Sequence, residues 1–305
     1  MQIKEFGKIM AREVGYKLGE GYDIEINEIL KNNGIVYHGL SIRKEGENIA
    51  PTIYIDQLME KYNKGTVLMN LVDEVVTTYR QHEPEGDLGT DFYLNFAEVS
   101  KRLFFKVVNY KKNKKKFEEV PVKRILDLAL VPLVMFEHSR MGEGTIMVTN
   151  SHLRLWEISK EELWENVAEN AASVAPPKIY SLMDYLNRLT GQDSNIYDIC
   201  GMYVVTTEGG DLGAGAIFYP GLLKEIADEY EDDLYIIPAS VHECIVMPVD
   251  HVLMEPSYLR MVIKEVNITT VSDVDVLSDN LYKYVRDEDR FVIVKEEKED
   301  QLLDE

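Results

Sequence analysis

Along the first eighty residues the apolar positions change period three times. Phe6, Ile9, Met10, Val14 and Leu18 recur at the spacing of one helix face. YDIEINEIL and IVYHGLSI then read as strands on either side of KNNG. Asn33 and Gly34 both tolerate positive φ, so the pair predicts a tight hairpin turn. A short third strand, PTIYI (51–55), leads into TVLMNLVDEVVTTYR. There Val67, Leu68, Leu71, Val72, Val75, Val76 and Tyr79 form one wide apolar stripe, the mark of a helix lying on a core.

Beyond the loop composition of QHEPEGDLG (81–89), FAEVSKRLFFKVVNY predicts a helical turn running into a strand from Leu103 to Asn109. KKNKKKFEE has no apolar anchor and reads as a basic linker. ALVPLVMF (129–136) and TIMVT (145–149) are expected as strands around the turn HSRMGEG. Asn150 and Ser151 suit the start of a helical turn carrying Leu153, Leu155 and Trp156. Ser159 followed by Glu162 has capping-box spacing, opening a helix with Leu163, Trp164, Val167, Ala168, Ala171 and Ala172 on one face. SLMDYLNRL reads as a short helix, and GMYVVT (201–206) with AGAIFY (214–219) as a second hairpin. Pro220 is placed in the first turn of the next helix, whose buried side is Leu222, Leu223, Ile226, Ala227 and Tyr230. Strands are expected at LYII, ECIVMP and RFVIV, with a helix over EPSYLRMVIKEV.

Strands in hairpins with helices returning between them predict an α+β fold, with largely antiparallel sheets, packed helices and two units. The expected divisions are an N-terminal unit 1–110, a basic linker 111–119, a C-terminal domain 120–294 and a disordered acidic tail 295–305.

Composition narrows the function classes. The 305 residues are 45% hydrophobic, which excludes disorder over most of the length. No run approaches the roughly 20 apolar residues of a membrane helix, and MQIKEFGKIM alternates too quickly for a secretory core. Two cysteines are too few for a disulfide framework, so a cytoplasmic home is expected. The net charge of −21 is uneven: residues 201–305 hold 24 acidic and 8 basic residues (−16), residues 1–200 hold 30 and 25 (−5). Such a surface repels nucleic acid and anionic membranes, and either keeps the chain soluble or meets a protein partner with a basic surface.

Candidate chemistry is sparse. EGGDLGAGA (208–216) lies between two predicted strands rather than before a helix, which suits a close-approach turn better than a dinucleotide site, and no cofactor is expected. KKNKKK lacks the interleaved aromatics of nucleic-acid binders and reads as a solvated loop. None of the six histidines has the helical spacing of a zinc protease, and no metal site is expected; His242, Glu243 and His251 are the nearest approach to one. PASVHECIVMP (238–248) concentrates Ser240, His242, Glu243 and Cys244. Ser240 and Glu243 have the spacing of a capping box, an architectural turn. The same residues are also candidates for a site, with His242 as general base and Glu243 orienting it or acting as acid/base.

LYIIPASVHECIVMP resembles a signature of the uncharacterised bacterial domain-of-unknown-function family 5688, where the segment reads Leu-Pro-Ser-Ser-Ile-His-Glu before apolar residues. The matching positions are Ile237, Pro238, Ala239, Ser240, Val241, His242 and Glu243, so one of the two serines is absent and any scheme needing both hydroxyls is weakened. KNNG with IVYHGLSI and PTIYID, NSHLRLWEISKEELWENVAEN, and MYVVTT with AGAIFYPGLLKEIA also fit the family. The C-terminal unit has a weaker similarity to another uncharacterised bacterial family. The resemblance implies a shared fold over nearly the whole chain and a cytoplasmic protein, but no reaction. A non-enzymatic binding or regulatory protein acting through an acidic C-terminal surface is the expectation, with a hydrolase using His242 and Glu243 as the alternative.

Overall fold

The computed structural model describes residues 1–47, 50–83, 90–138, 142–191 and 201–295. The chain forms two compact units, one of residues 1–95 with 136–145, the other of 96–135 with 146–305.

In the first unit, helix α1 (Ile3–Leu18) buries Phe6, Met10 and Val14, one side chain per turn. Strands β1 (Tyr22–Leu30), β2 (Val36–Lys44) and β3 (Thr52–Tyr54) form an antiparallel sheet in that order. Asn33 (φ 58°) and Gly34 (φ 75°) make the hairpin turn as expected. The register sets Ile24 opposite Ile42 and Ile26 opposite Leu40. Helix α2 (Asp56–Asn63) was not foreseen; its apolar positions are too few for a clear stripe, and Leu58 alone is buried. Helix α3 (Leu68–Gln81) completes the core with Leu71, Val72, Val75, Val76 and Tyr79.

The second unit begins with α4 (Phe96–Val99) and β4 (Leu103–Asn109). β4 is buried at six of seven positions, which explains why LFFKVVN lacks alternation: both of its faces are covered. The basic run is not an unstructured linker. Asn109 caps the short helix α5 (Tyr110–Asn113), a 3-10 turn follows over Lys114–Glu118, and Asn113 is buried, donating to the Asn109 carbonyl at 2.9 Å. Phe117 and Tyr110 supply the anchors missing from the lysines, packing on Val108, Val120, Ala129 and Val131. The unit boundary therefore falls at Asn95 rather than after Tyr110. β4 pairs with β6 (Leu128–His138), which also pairs with β5 (Lys123–Ile125) and β7 (Gly142–Met147).

Helix α6 (Asn150–Trp156) is capped by Thr149, with the His152 ring reaching back to the Thr149 N–H. Ser159 caps α7 (Lys160–Val174) by accepting from the Glu162 N–H at 3.0 Å. The rest builds an antiparallel sheet ordered β13-β12-β10-β11-β9-β8. Its strands are β8 (Pro177–Ser181), β9 (Tyr203–Thr207), β10 (Leu234–Ile237), β11 (Cys244–Pro248), β12 (Tyr282–Val285) and β13 (Arg290–Ile293). Helices α8 (Leu182–Thr190), α9 (Leu222–Tyr230) and α10 (Pro256–Thr269) connect them.

The expected hairpin of 201–206 with 214–219 does not form. β9 pairs with β8 and β11, while Gly213–Phe218 coils into a 3-10 helix. Four small residues in a row let it lie against the sheet: a Cβ on Gly213 would sit 2.7 Å from the His242 carbonyl oxygen and 2.5 Å from the Thr207 nitrogen. Pro220 stands before α9, which Gly221 opens at φ 83°. No described helix is long and apolar enough to cross a membrane. Most of the loop expected over 81–89 and of the tail expected from 295, residues 139–141 of the turn expected after His138, and Cys200 lie outside the described residues.

Candidate functional site

Ser240, His242 and Glu243 sit in the loop of the β10–β11 hairpin, but the turn is not helical. Ile237 and Ile245 make the last ladder pair, and the Ser240 N–H donates to the Glu243 carbonyl at 3.1 Å, closing the loop around Val241 and His242. The capping spacing is used differently from a capping box. The Ser240 hydroxyl donates to Glu243 Oε1 at 2.8 Å and accepts from the His242 N–H at 2.9 Å. The carboxylate thus holds a hydroxyl instead of the backbone amide, because a continuing hairpin leaves no helix N-terminus to satisfy.

Neighbouring segments of the same unit grip this loop. Val241 is buried; its N–H donates to the Asp275 carbonyl at 2.9 Å, and its carbonyl accepts from the Ala214 N–H at 3.3 Å. The His242 carbonyl accepts from Thr206 Oγ1 at 2.8 Å. Around the ring, the Leu212 N–H donates to Nδ1 at 3.2 Å, and Nε2 lies 3.4 Å from Asp275 Oδ1. With Nδ1 accepting from Leu212, the other ring nitrogen faces Asp275. Asp211 Oδ1 lies 3.5 Å from Nδ1, and that side chain is 90% exposed, whereas the His242 side chain is 31% exposed. Glu243 Oε2 accepts from the Tyr185 hydroxyl at 3.3 Å. Burial, then the Glu243 charge and bond, push the Tyr185 phenol above its ordinary pKa.

Cys244 points the other way, fully buried, and burial raises its thiol far from thiolate character; a nucleophilic role does not fit it. His251 stands beyond the other end of β11, its ring edge-on to Tyr230, so the structure does not bring it to His242. Among the described residues no group of three or more histidine, cysteine, aspartate or glutamate side chains converges in a metal-binding arrangement. Asp211, Asp275, Tyr185 and Thr206 were not legible as neighbours of His242. They come from α8, β9 and two loops distant in sequence, and no local spacing encodes such contacts.

At the opposite end of the six-stranded sheet, carboxylates accumulate where α9, β10, β11, β12 and β13 begin or end. Asp232 Oδ2 accepts from the Asp250 N–H at 2.8 Å. Asp233 accepts from the Arg286 N–H at 2.9 Å and pairs with Lys283 at 2.7 Å. Glu231, Asp250, Asp287 and Glu288 are exposed around them.

Fold and site define an α+β protein of two units, whose hairpin loop holds a histidine, a serine and a glutamate under tertiary restraint. The chain belongs to the family of unknown function DUF5688, whose model matches residues 3–286. The weaker likeness of the C-terminal unit to a second family is not supported by these comparisons. No curated protein and no solved structure matches the chain significantly.

Proposed function

We propose that this is a non-enzymatic cytoplasmic binding or regulatory protein whose acidic C-terminal surface meets a partner with a basic surface. The carrying observation is the gathering of exposed carboxylates at one end of the six-stranded sheet, in the part of the chain whose balance is −16. Carboxylates outnumber the cations there, and such an excess raises the encounter rate with an oppositely charged partner and rejects nucleic acid. The loop chemistry supports the same reading. Both ring nitrogens of His242 already have partners, and Ser240 gives its hydrogen to Glu243. With both nitrogens engaged, His242 has no free acceptor with which to act as a general base.

A lysine-rich peptide titrated into the protein at two ionic strengths tests this. Binding is expected to weaken with salt and to weaken several-fold in the triple variant Glu231→Gln, Asp250→Asn, Asp287→Asn. Equal binding by parent and variant would remove the sheet end as the recognition surface.

The second reading, a hydrolase, draws on the partial exposure of His242 between Asp211 and Asp275, beside the Tyr185–Glu243 pair. Turnover of ester or phosphoester probes that disappears in His242→Ala, with melting unchanged, would select it over the binding protein.

A further inference from the structure

Helix α10 buries Leu259, Ile263 and Asn267. At about 100° per residue, the arc opposite those positions carries Tyr258, Met261, Glu265 and Ile268. A helix on the surface of a domain turns a polar face to water. Here Tyr258 is 48%, Met261 54% and Ile268 83% exposed, and the loop before the helix adds Met254 at 41% and a fully exposed Leu253. Scattered exposed apolar residues are ordinary, whereas a contiguous run along one helix face marks an interaction surface. The run also starts at the acidic end of the sheet. It follows Val249–His251 directly, Asp250 is tied there to Asp232, and Glu255 stands at the helix start. Of the two cations on α10, Arg260 is spent on the carbonyls of Val294 and Lys295, leaving Lys264.

We infer that the outer face of α10 docks an amphipathic basic helix of a partner protein. Its apolar side lies on Tyr258, Met261 and Ile268, and its lysines or arginines meet Glu231, Asp250 and Glu255. Charge selects this occupant over a second copy of the chain, because two molecules of net charge −21 repel one another. Length fits as well: Tyr258 to Ile268 spans about 15 Å, room for roughly three turns of a partner helix. The inference rests on the acidic-surface reading and adds the partner's shape to it.

The test titrates the full chain with two synthetic leucine-lysine peptides of one composition, one amphipathic as a helix and the other scrambled so that it has no apolar face. The amphipathic peptide is expected to bind about tenfold more tightly. The double variant Tyr258→Ser, Met261→Ser should lose that preference while keeping the parent's melting temperature, and Ile268→Ser alone should reduce it. Equal binding of both peptides, unchanged in these variants, overturns the helix-docking inference and leaves the acidic surface standing. Failure of both peptides to bind at low salt overturns the acidic-surface reading itself. A dimer by sedimentation that the double variant converts to monomer gives the face to a second copy and overturns the inference too.

Discussion

Two carboxylates in the second unit, Asp127 and Glu243, organise polar groups in contrasting ways. Asp127 sits in the turn between β5 and β6, beside Leu126 at φ 55°. It receives three side-chain donors: the Ser278 hydroxyl at 2.8 Å and the Asn280 amide at 2.9 Å on one oxygen, and the Tyr282 hydroxyl at 3.0 Å on the other. Ser278 and Tyr282 are almost wholly buried, and burial pushes the Tyr282 phenol far up. Asn267 and Asn109 extend the network through the carbonyls of Ser278 and Leu277. Glu243 receives two donors, one of them long, and stands beside an imidazole that reaches water. A carboxylate with two of its three donors on buried residues is architecture, since those donors depend on it. Glu243 has one buried donor, Ser240, while Tyr185 and His242 beside it are only partly covered, which leaves one side open to a partner.

Substitutions can break this contrast. Asp127→Ala strands three donors, two of them on buried residues, and should cost about 3 kcal/mol, at about 1–3 kcal/mol per buried unsatisfied group with partial relaxation. Denaturant unfolding measures it; a cost below that of Ser240→Ala would reverse the assignment of roles. Ser240→Ala loses one hydroxyl that bridges Glu243 and the His242 N–H, and about 1 kcal/mol is expected from melting curves. The smallest effect belongs to the first unit. Tyr79 is buried with its hydroxyl lacking a partner, and burial pushes its phenol up to about 12. Tyr79→Phe removes an unsatisfied group from a packed ring and should be neutral or slightly stabilising, within about 1 kcal/mol. A clear loss of stability there would mean the hydroxyl has a partner after all, and that the contrast between satisfied and unsatisfied buried groups is misdrawn.

The first unit was almost entirely legible. Its two long helices and its hairpin announce themselves because one face of each is dry, so that period 3.6 or 2 appears directly in the residues. The Asn33–Gly34 turn is local chemistry of the same kind. In the second unit the pattern fails where burial is two-sided or where anchoring is distant. PKIYS and YKYV were not foreseen as strands, and both are too short for alternation to stand out. AGAIFY (214–219) read as a strand from its apolar residues, but small side chains and a close approach of Gly213 to Thr206, Thr207 and His242 put Gly213–Phe218 into a 3-10 coil. The lysine run read as a linker because its anchors, Asn113 and Phe117, are single residues within it.

The candidate site divides the same way. The three-residue spacing of Ser240 and Glu243 predicted a capping box on a helical turn, with Glu243 on the backbone, and the structure makes a hairpin instead. That Glu243 takes the Ser240 hydroxyl, that Leu212 and Asp275 flank the imidazole, and that Tyr185 reaches Glu243 were decided by the assembled sheet. Sequence alone determined the α+β class, the elements with one dry face and the concentration of negative charge toward the C-terminal end, because each depends on residues close together or simply on their sum. The strand order, the partners of His242 and Asp127, and the exposure of an apolar face on α10 belong to the tertiary structure, because each depends on which surfaces other segments happen to cover.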